Sequence, residues 1–186
     1  ILIYRLNSLD PGISMPEVGR SIVHDEGVAL LESLRLPAGA TSFVRQQFPQ
    51  GLGHAVWCGR AIAGNNPVAV LLPDVIIKSE KSCLAQMMEA YNEVGGNIIA
   101  VDQVPEAQVS SYGVISPKAR NGRLIEMDGM VEKPPRGEAP SNLKITGRYI
   151  LQPEIFALLE DQGPGAGNEI QLTDAMVREV IAACMA

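Results

Sequence analysis

Aromatic residues are scarce in this chain, at 4% of 186 residues. Cysteine is scarcer still: Cys58, Cys83 and Cys184 lie far apart, with no CxxC pair. An odd count at wide spacing argues against a disulfide framework and reads as reduced thiols in a cytosolic protein. His24 and His54 also stand apart, without the spacing of a zinc site. Positive charge is in deficit, with Lys and Arg totalling 15 against 21 Asp and Glu, and a net charge of -6. That balance disfavours non-specific binding to nucleic acid or to an anionic membrane. It leaves room for a small anionic ligand, which needs only a few local donors. No apolar run approaches the ~20 residues of a membrane span. The opening ILIYRL is too short for a signal-peptide core and has no small-residue cleavage site. The expectation is a cytoplasmic protein, with neither nucleic acid nor membrane as partner. An initiator Met is missing too, so the chain as given reads as a fragment or a processed form.

Turn formers and short apolar runs are what the chain does have. Hydrophobic residues make up 46% and charged residues 19%, a globular balance, and Gly 18 and Pro 13 promise many turns. VAVLL (68–72) and NIIAV (97–101) are short, continuously apolar and β-branched in part, the pattern of strands buried on both faces. Between them, Ser82 to Val94 reads as a helix. Leu84, Met87, Met88, Tyr91 and Val94 keep the helical period, and Gly95-Gly96 ends it. Strand, helix, strand predicts a βαβ unit with a right-handed crossover. Gly53 to Ile62 reads as a helix opening on the QGLGHA turn, and Gly27 to Leu36 looks helical.

Past Pro105 the pattern turns strand-rich. YGVIS (112–116), RLIEM (123–127), MVEKP (130–134) and LKITGRYIL (143–151) are strand-like, with NG, DG and PPRG turns between them. PEIFALLED (153–161) reads as a helix with Pro at its start. A last amphipathic helix is predicted from Thr173 as N-cap, with Met176, Val177, Val180, Ile181 and Cys184 on one face. The sum is one α/β domain over residues 1–186. Its central sheet is expected to be mixed and mainly parallel, flanked by helices, with additional antiparallel strands.

Within the run VAVLLPDVII, one acid interrupts nine apolar positions. A buried, unpaired carboxylate is costly. Asp74, however, follows Pro73, which stops the strand and forces a turn. Ligands of open α/β sheets bind at the carboxyl ends of strands. Asp74 is therefore either a ligand-facing carboxylate on that rim or an Asx-turn or helix-cap residue. Three other segments carry similar alternatives. QGLGHA (50–55) brings glycine-exposed N–H groups to a helix start, which suits an anion or carbonyl, or else is a turn plus cap. VEKP places Glu132 and Lys133 at a strand end, on opposite faces if the strand continues; they suit sugar hydroxyls and phosphate, or are solvated charges. EIQLTDA offers Glu169 and Asp174 at a helix start, where acids also stabilise the dipole.

Taken in order, these segments form a recognisable set. FVRQ (43–46), GLGHAV (51–56), LLPDVI (71–76), YGV (112–114), MVEKP (130–134), APSNL (139–143), GRYIL (147–151) and GAGNEIQLTDA (165–175) closely resemble the bacterial UTP–glucose-1-phosphate uridylyltransferases, within the wider sugar-1-phosphate nucleotidyltransferases. The resemblance implies a Rossmann-like nucleotidyltransferase fold. It implies uridylyl transfer from UTP to glucose 1-phosphate, giving UDP-glucose and pyrophosphate, with Mg2+ as cofactor. Carried over by position, Asp74 and Asp174 would be the metal carboxylates, with Asp74 and Lys133 the catalytic pair. Gln46 and Gly51 would lie against the uracil and Gly113 against the glucose. Glu132 would hold glucose hydroxyls and Lys133 the sugar phosphate, with Gly147 and Arg148 lining the same pocket. A homo-oligomer is expected.

The resemblance stops at both ends. The family's glycine-rich G-x-G-T-R loop and the lysine-bearing K-E-M-L-P segment after it are not found in residues 1–40. The chain is therefore expected to be partial, or a truncated relative, and alone to be weakly active or inactive and of low stability. The rivals are a non-catalytic sugar-nucleotide-binding or oligomerisation module, and thymidylyl or guanylyl transfer within the same enzyme class.

Overall fold

The computed structural model describes residues 2–5, 32–33, 37–178 and 180–185. Apart from residues 32 and 33, which are helical, the helix expected over 27–36 lies outside the described residues.

Among the described residues seven strands form one sheet: β1 (Leu2–Arg5), β2 (Val68–Leu71), β3 (Asn97–Gln103), β4 (Gly113–Asn121), β5 (Leu124–Glu132), β6 (Leu143–Leu151) and β7 (Val180–Met185). Their order is β1-β2-β6-β3-β7-β5-β4, with a further β6–β4 pairing. The helices are α1 (Leu52–Trp57), α2 (Arg60–Ala63), α3 (Cys83–Val94), α4 (Ile155–Glu160) and α5 (Leu172–Met176).

The runs expected to be buried on both faces are so. In β3, Ile98 and Ala100 pack with Met87 and Ala90 of α3, whereas Ile99 and Val101 join the core on the other face. In β6, Ile150 faces α3, and Tyr149 and Leu151 face the opposite core with Val56, Phe156, Leu159 and Leu172. Period-two alternation inside a continuous apolar run gives both layers their contacts. α3 begins where expected, its first turn capped by Ser82, whose Oγ accepts from the Ala85 N–H at 3.2 Å. Gly95 closes it at φ 68°.

Three expectations are corrected. The sheet is mixed but mainly antiparallel: β3–β7 is its parallel pair, and β6 runs antiparallel between β2 and β3. β2 and β3 thus share a direction without touching, because a later segment supplies the ladder between them. The helix expected from Thr173 to Cys184 is a short α5 ending at Met176, followed by β7. A short apolar run fits both periods, and pairing with β3 and β5 decides it here. RLIEM and MVEKP are one strand, β5. Asp128-Gly129 makes no turn there: Gly129 pairs with Ser116 beside a register shift at Pro117. The β4–β5 hairpin turns at Gly122-Arg123, one residue past the expected start, because Asn121 still belongs to β4 and pairs with Leu124.

Candidate functional site

The ends of β2, β4 and β5, the middle of β6 and the start of α5 surround a cavity of about 290 Å³. Leu52, Leu72, Asp74, Tyr112, Gly113, Glu132, Lys144, Ile145, Gly147, Tyr149, Gln171 and Thr173 are among its lining residues. Four residues singled out from the sequence, Asp74, Gly113, Glu132 and Gly147, therefore meet in one place.

Asp74 is exposed in a turn beyond β2, as the proline before it requires. Arg148 holds that turn. Its Nη1 donates to the Leu72 carbonyl at 2.6 Å and to the Gly147 carbonyl at 3.1 Å, and its Nη2 donates to the Val75 carbonyl. Arg148 is thus a brace beneath the Asp74 turn and is not among the residues lining the cavity. Gly147 faces the same turn. Its carbonyl accepts from the Leu72 N–H at 2.9 Å, its φ is 70°, and a Cβ there would sit 3.0 Å from Leu72 Cδ1.

Gly113 and Glu132 are register partners on β4 and β5. A Cβ on Gly113 would lie 2.8 Å from Glu132 Oε2, so the missing side chain is the space through which the carboxylate reaches the cavity. Lys133 behaves differently from a strand residue. β5 ends at Glu132, and Lys133 takes a left-handed φ of 47° while its N–H donates to the Tyr112 carbonyl at 3.1 Å. A non-glycine residue held there marks a constrained position. The strand alternation expected to separate Glu132 from Lys133 does not apply.

Gln46 and Gly51 lie together beside the cavity wall at Leu52. Gln46 Nε2 donates to the Gly51 carbonyl at 3.0 Å. Two main-chain bonds staple this segment to the one entering α5: Gly53 N–H to the Ile170 carbonyl and Ile170 N–H to the Gln50 carbonyl, both 2.8 Å. GLGHA and EIQLTDA, more than a hundred residues apart, are therefore neighbours. Asp174, expected beside Asp74, is not among the residues that line the cavity with it. It is exposed, and its Oδ2 lies 2.5 Å from where a Gly165 Cβ would be. Among the described residues no group of three or more His, Cys, Asp or Glu side chains is placed to hold a metal.

Among the lining residues not proposed for the site from the sequence are Lys144, Tyr149 and Thr173. Lys144 Nζ sits 5.1 Å from the Tyr112 ring centroid, which anchors a cation at the cavity edge. Tyr149 is buried, and its phenol is pushed well above the ordinary value, first by burial and then by the Glu132 and Asp74 carboxylates. It stays protonated between two acids. Thr173 Oγ1 is buried without a hydrogen-bond partner. Alternation along LKITGRY was the available signal for Tyr149, which lies two residues beyond Gly147 on the same face; Lys144, three residues before Gly147, has the other parity and was not marked by it. The local pattern marked Thr173 only as a helix cap.

The comparisons with known proteins place the chain in a family. Residues 32–183 match the nucleotidyl transferase family. The UTP–glucose-1-phosphate uridylyltransferase of Bacillus subtilis (strain 168) is 47% identical over 163 residues, covering 87% of this chain and 56% of that protein. The enzyme of the same name from Staphylococcus haemolyticus is 53% identical over 136 residues, 73% of this chain and 47% of that protein. The chain thus spans about half the length of the curated relatives it matches. A crystal structure of UDP-glucose pyrophosphorylase complexed with UDP-glucose is similar with a TM-score of 0.78 and 37% identity, over 91% of this chain and 69% of that one. The UTP-bound enzyme of Acinetobacter baumannii follows at 0.72 and 36%, over 91% of this chain and 61% of that one. With residues 32–183 matched and the cavity assembled from the same motifs, the chain belongs to the nucleotidyl transferase family, in its UTP–glucose-1-phosphate uridylyltransferase group.

Proposed function

We propose that this chain carries the sugar-phosphate side of a uridylyl transfer: UTP and glucose 1-phosphate give UDP-glucose and pyrophosphate. The observation that carries the reading is the meeting of Asp74, Gly113, Glu132 and Gly147 around one cavity of about 290 Å³. That is enough room for a hexose phosphate, at the small end of ligand pockets. The Glu132 carboxylate, passing over Gly113, accepts hydrogen bonds from sugar hydroxyls. Lys144 at the rim and Lys133 beyond β5 supply positive charge for the phosphate. Gln46 and Gly51 lie against the uracil.

The chemistry asks for positioning more than for proton transfer. A phosphate oxygen of the sugar phosphate is already anionic at neutral pH and needs no general base. It bonds to the α-phosphorus of UTP in line, while the bond from that phosphorus to the bridging oxygen of pyrophosphate breaks. The protein must hold two mutually repelling anions in register.

A magnesium ion suits the donor set. Asp74 presents an exposed hard-oxygen ligand at the cavity mouth, and this ion is commonly held by one or two carboxylates with substrate phosphates completing the shell. When bound, it supplies charge neutralisation across the phosphates. Among the described residues no helix is long and apolar enough to cross a membrane. A cytoplasmic homo-oligomer is part of the proposal, on the family resemblance, and sedimentation of the purified protein tests its assembly.

The test is pyrophosphate release from UTP and glucose 1-phosphate with magnesium, comparing the protein with Asp74→Asn. Release that falls by at least about a hundred-fold in the variant is the expected result. Equal release by both proteins would remove Asp74 from the chemistry.

A further inference from the structure

His54 has no part in the chemistry above, yet it is held on three sides. Gln46 Nε2 lies 2.9 Å from His54 Nδ1. The same nitrogen donates to the Gly51 carbonyl at 3.0 Å. A carbonyl only accepts, so the amide atom facing both groups is the nitrogen. His54 Nδ1 is then the acceptor of that contact, which puts the ring N–H on Nε2. That nitrogen lies 3.9 Å from Cys58 Sγ. The imidazole stacks on Trp57 with centroids 5.7 Å apart, and the Arg60 guanidinium covers Trp57 at 3.4 Å. The ring therefore has little freedom to turn.

Both N–H groups of the Gln46 amide are consumed inside the protein. Its oxygen makes no hydrogen bond to any described residue. With the ring N–H kept on Nε2, toward Cys58 Sγ, turning the amide over would set that oxygen against the Gly51 carbonyl and the Nδ1 lone pair, two acceptor–acceptor contacts. We propose that His54 is a positioning residue for the nucleobase: it locks the Gln46 amide with its oxygen outward, so that the site takes a base edge donating an N–H, as the uracil imide does. The proposal rests on the placement of Gln46 and Gly51 against the base. Without the His54 acceptor, the turned-over amide loses one of its two penalties. It then offers an N–H, which cytosine N3 accepts.

Calorimetric binding of UDP-glucose and CDP-glucose tests this on the wild type, His54→Leu, His54→Asn, Gln46→Ala and the double variant Gln46→Ala/His54→Leu. Asparagine returns an acceptor near the place of Nδ1. His54→Leu is expected to weaken UDP-glucose about ten-fold and to narrow its preference over CDP-glucose, while His54→Asn retains both. In the Gln46→Ala background, His54→Leu should cost nothing further. The proposal is overturned if His54→Leu costs the same affinity with Gln46 already removed, or leaves the base preference unchanged. A wild type that binds CDP-glucose as tightly as UDP-glucose would instead overturn the uridylyl reading, and the proposal with it.

Discussion

An alanine at position 113 would bring its Cβ within 2.8 Å of Glu132 Oε2. The atom it meets is the far end of a flexible side chain, so the fold can yield cheaply while the carboxylate cannot stay where it is. Gly113→Ala is expected to change stability by less than about 1 kcal/mol. It should raise the KM for glucose 1-phosphate by roughly ten- to a hundred-fold, since small misplacements of a binding group are costly. Denaturant melts beside steady-state kinetics measure the two effects; a large loss of stability with unchanged KM would contradict the account. Tyr149 makes a prediction of its own. Its phenol is raised above the ordinary value of 10.0 by burial, by Glu132 and by Asp74. Below that value the folded and unfolded chains both hold the proton, and the contribution to stability is fully present. Above it the unfolded chain gives up the proton while the folded one keeps it, so stability falls as pH rises. Alkaline unfolding should begin near pH 10, and Tyr149→Phe should delay it. Chemical denaturation midpoints between pH 8 and 11 give the comparison.

At the scale of elements, the turn after β2 depends on β6. One guanidinium, Arg148, satisfies the carbonyls of Leu72, Gly147 and Val75. Lysine is a single point charge and cannot span the three. Arg148→Lys is therefore expected to cost about 1–2 kcal/mol, with faster amide exchange over residues 71–75 and reduced turnover. Exchange confined to wild-type rates in that turn would show that the brace is dispensable. The same dependence on a distant partner runs through α1 and the start of α5. Gly53 and Ile170 bond through their main chains, so the start of α1 is tied to the segment that enters α5.

For the whole molecule, the site is a seam between two ends of the chain order. Residues 52–75 supply one wall, and residues 111–149 with 171–173 supply the rest. A ligand that touches both favours the folded state over the unfolded one by mass action, by about 2.7 kcal/mol at a hundred times its Kd. Saturating UDP-glucose should accordingly raise the melting temperature by several degrees. Glu132→Gln should lower the apo melting point little and remove most of that rise. A rise that persists in the variant would place the sugar elsewhere.

Local pattern was enough to mark the short apolar runs of β2 and β3, the capped helix α3, the turn that throws Asp74 out of the core, and the motifs that identify the family. Each depends on interactions within a few residues: strand period, a serine cap, proline's fixed φ. What lay beyond the sequence was long-range. The insertion of β6 between β2 and β3 made the sheet mainly antiparallel, because ladder partners are chosen by tertiary pairing. β7 replaced a helix for the same reason. Lys133 left the strand because the Tyr112 carbonyl holds its N–H in a left-handed turn. Asp174, paired with Asp74 by resemblance, stands outside the cavity, while Lys144, Tyr149 and Thr173 line it. Membership of a cavity is a property of several elements converging in space, and no one-dimensional spacing encodes it.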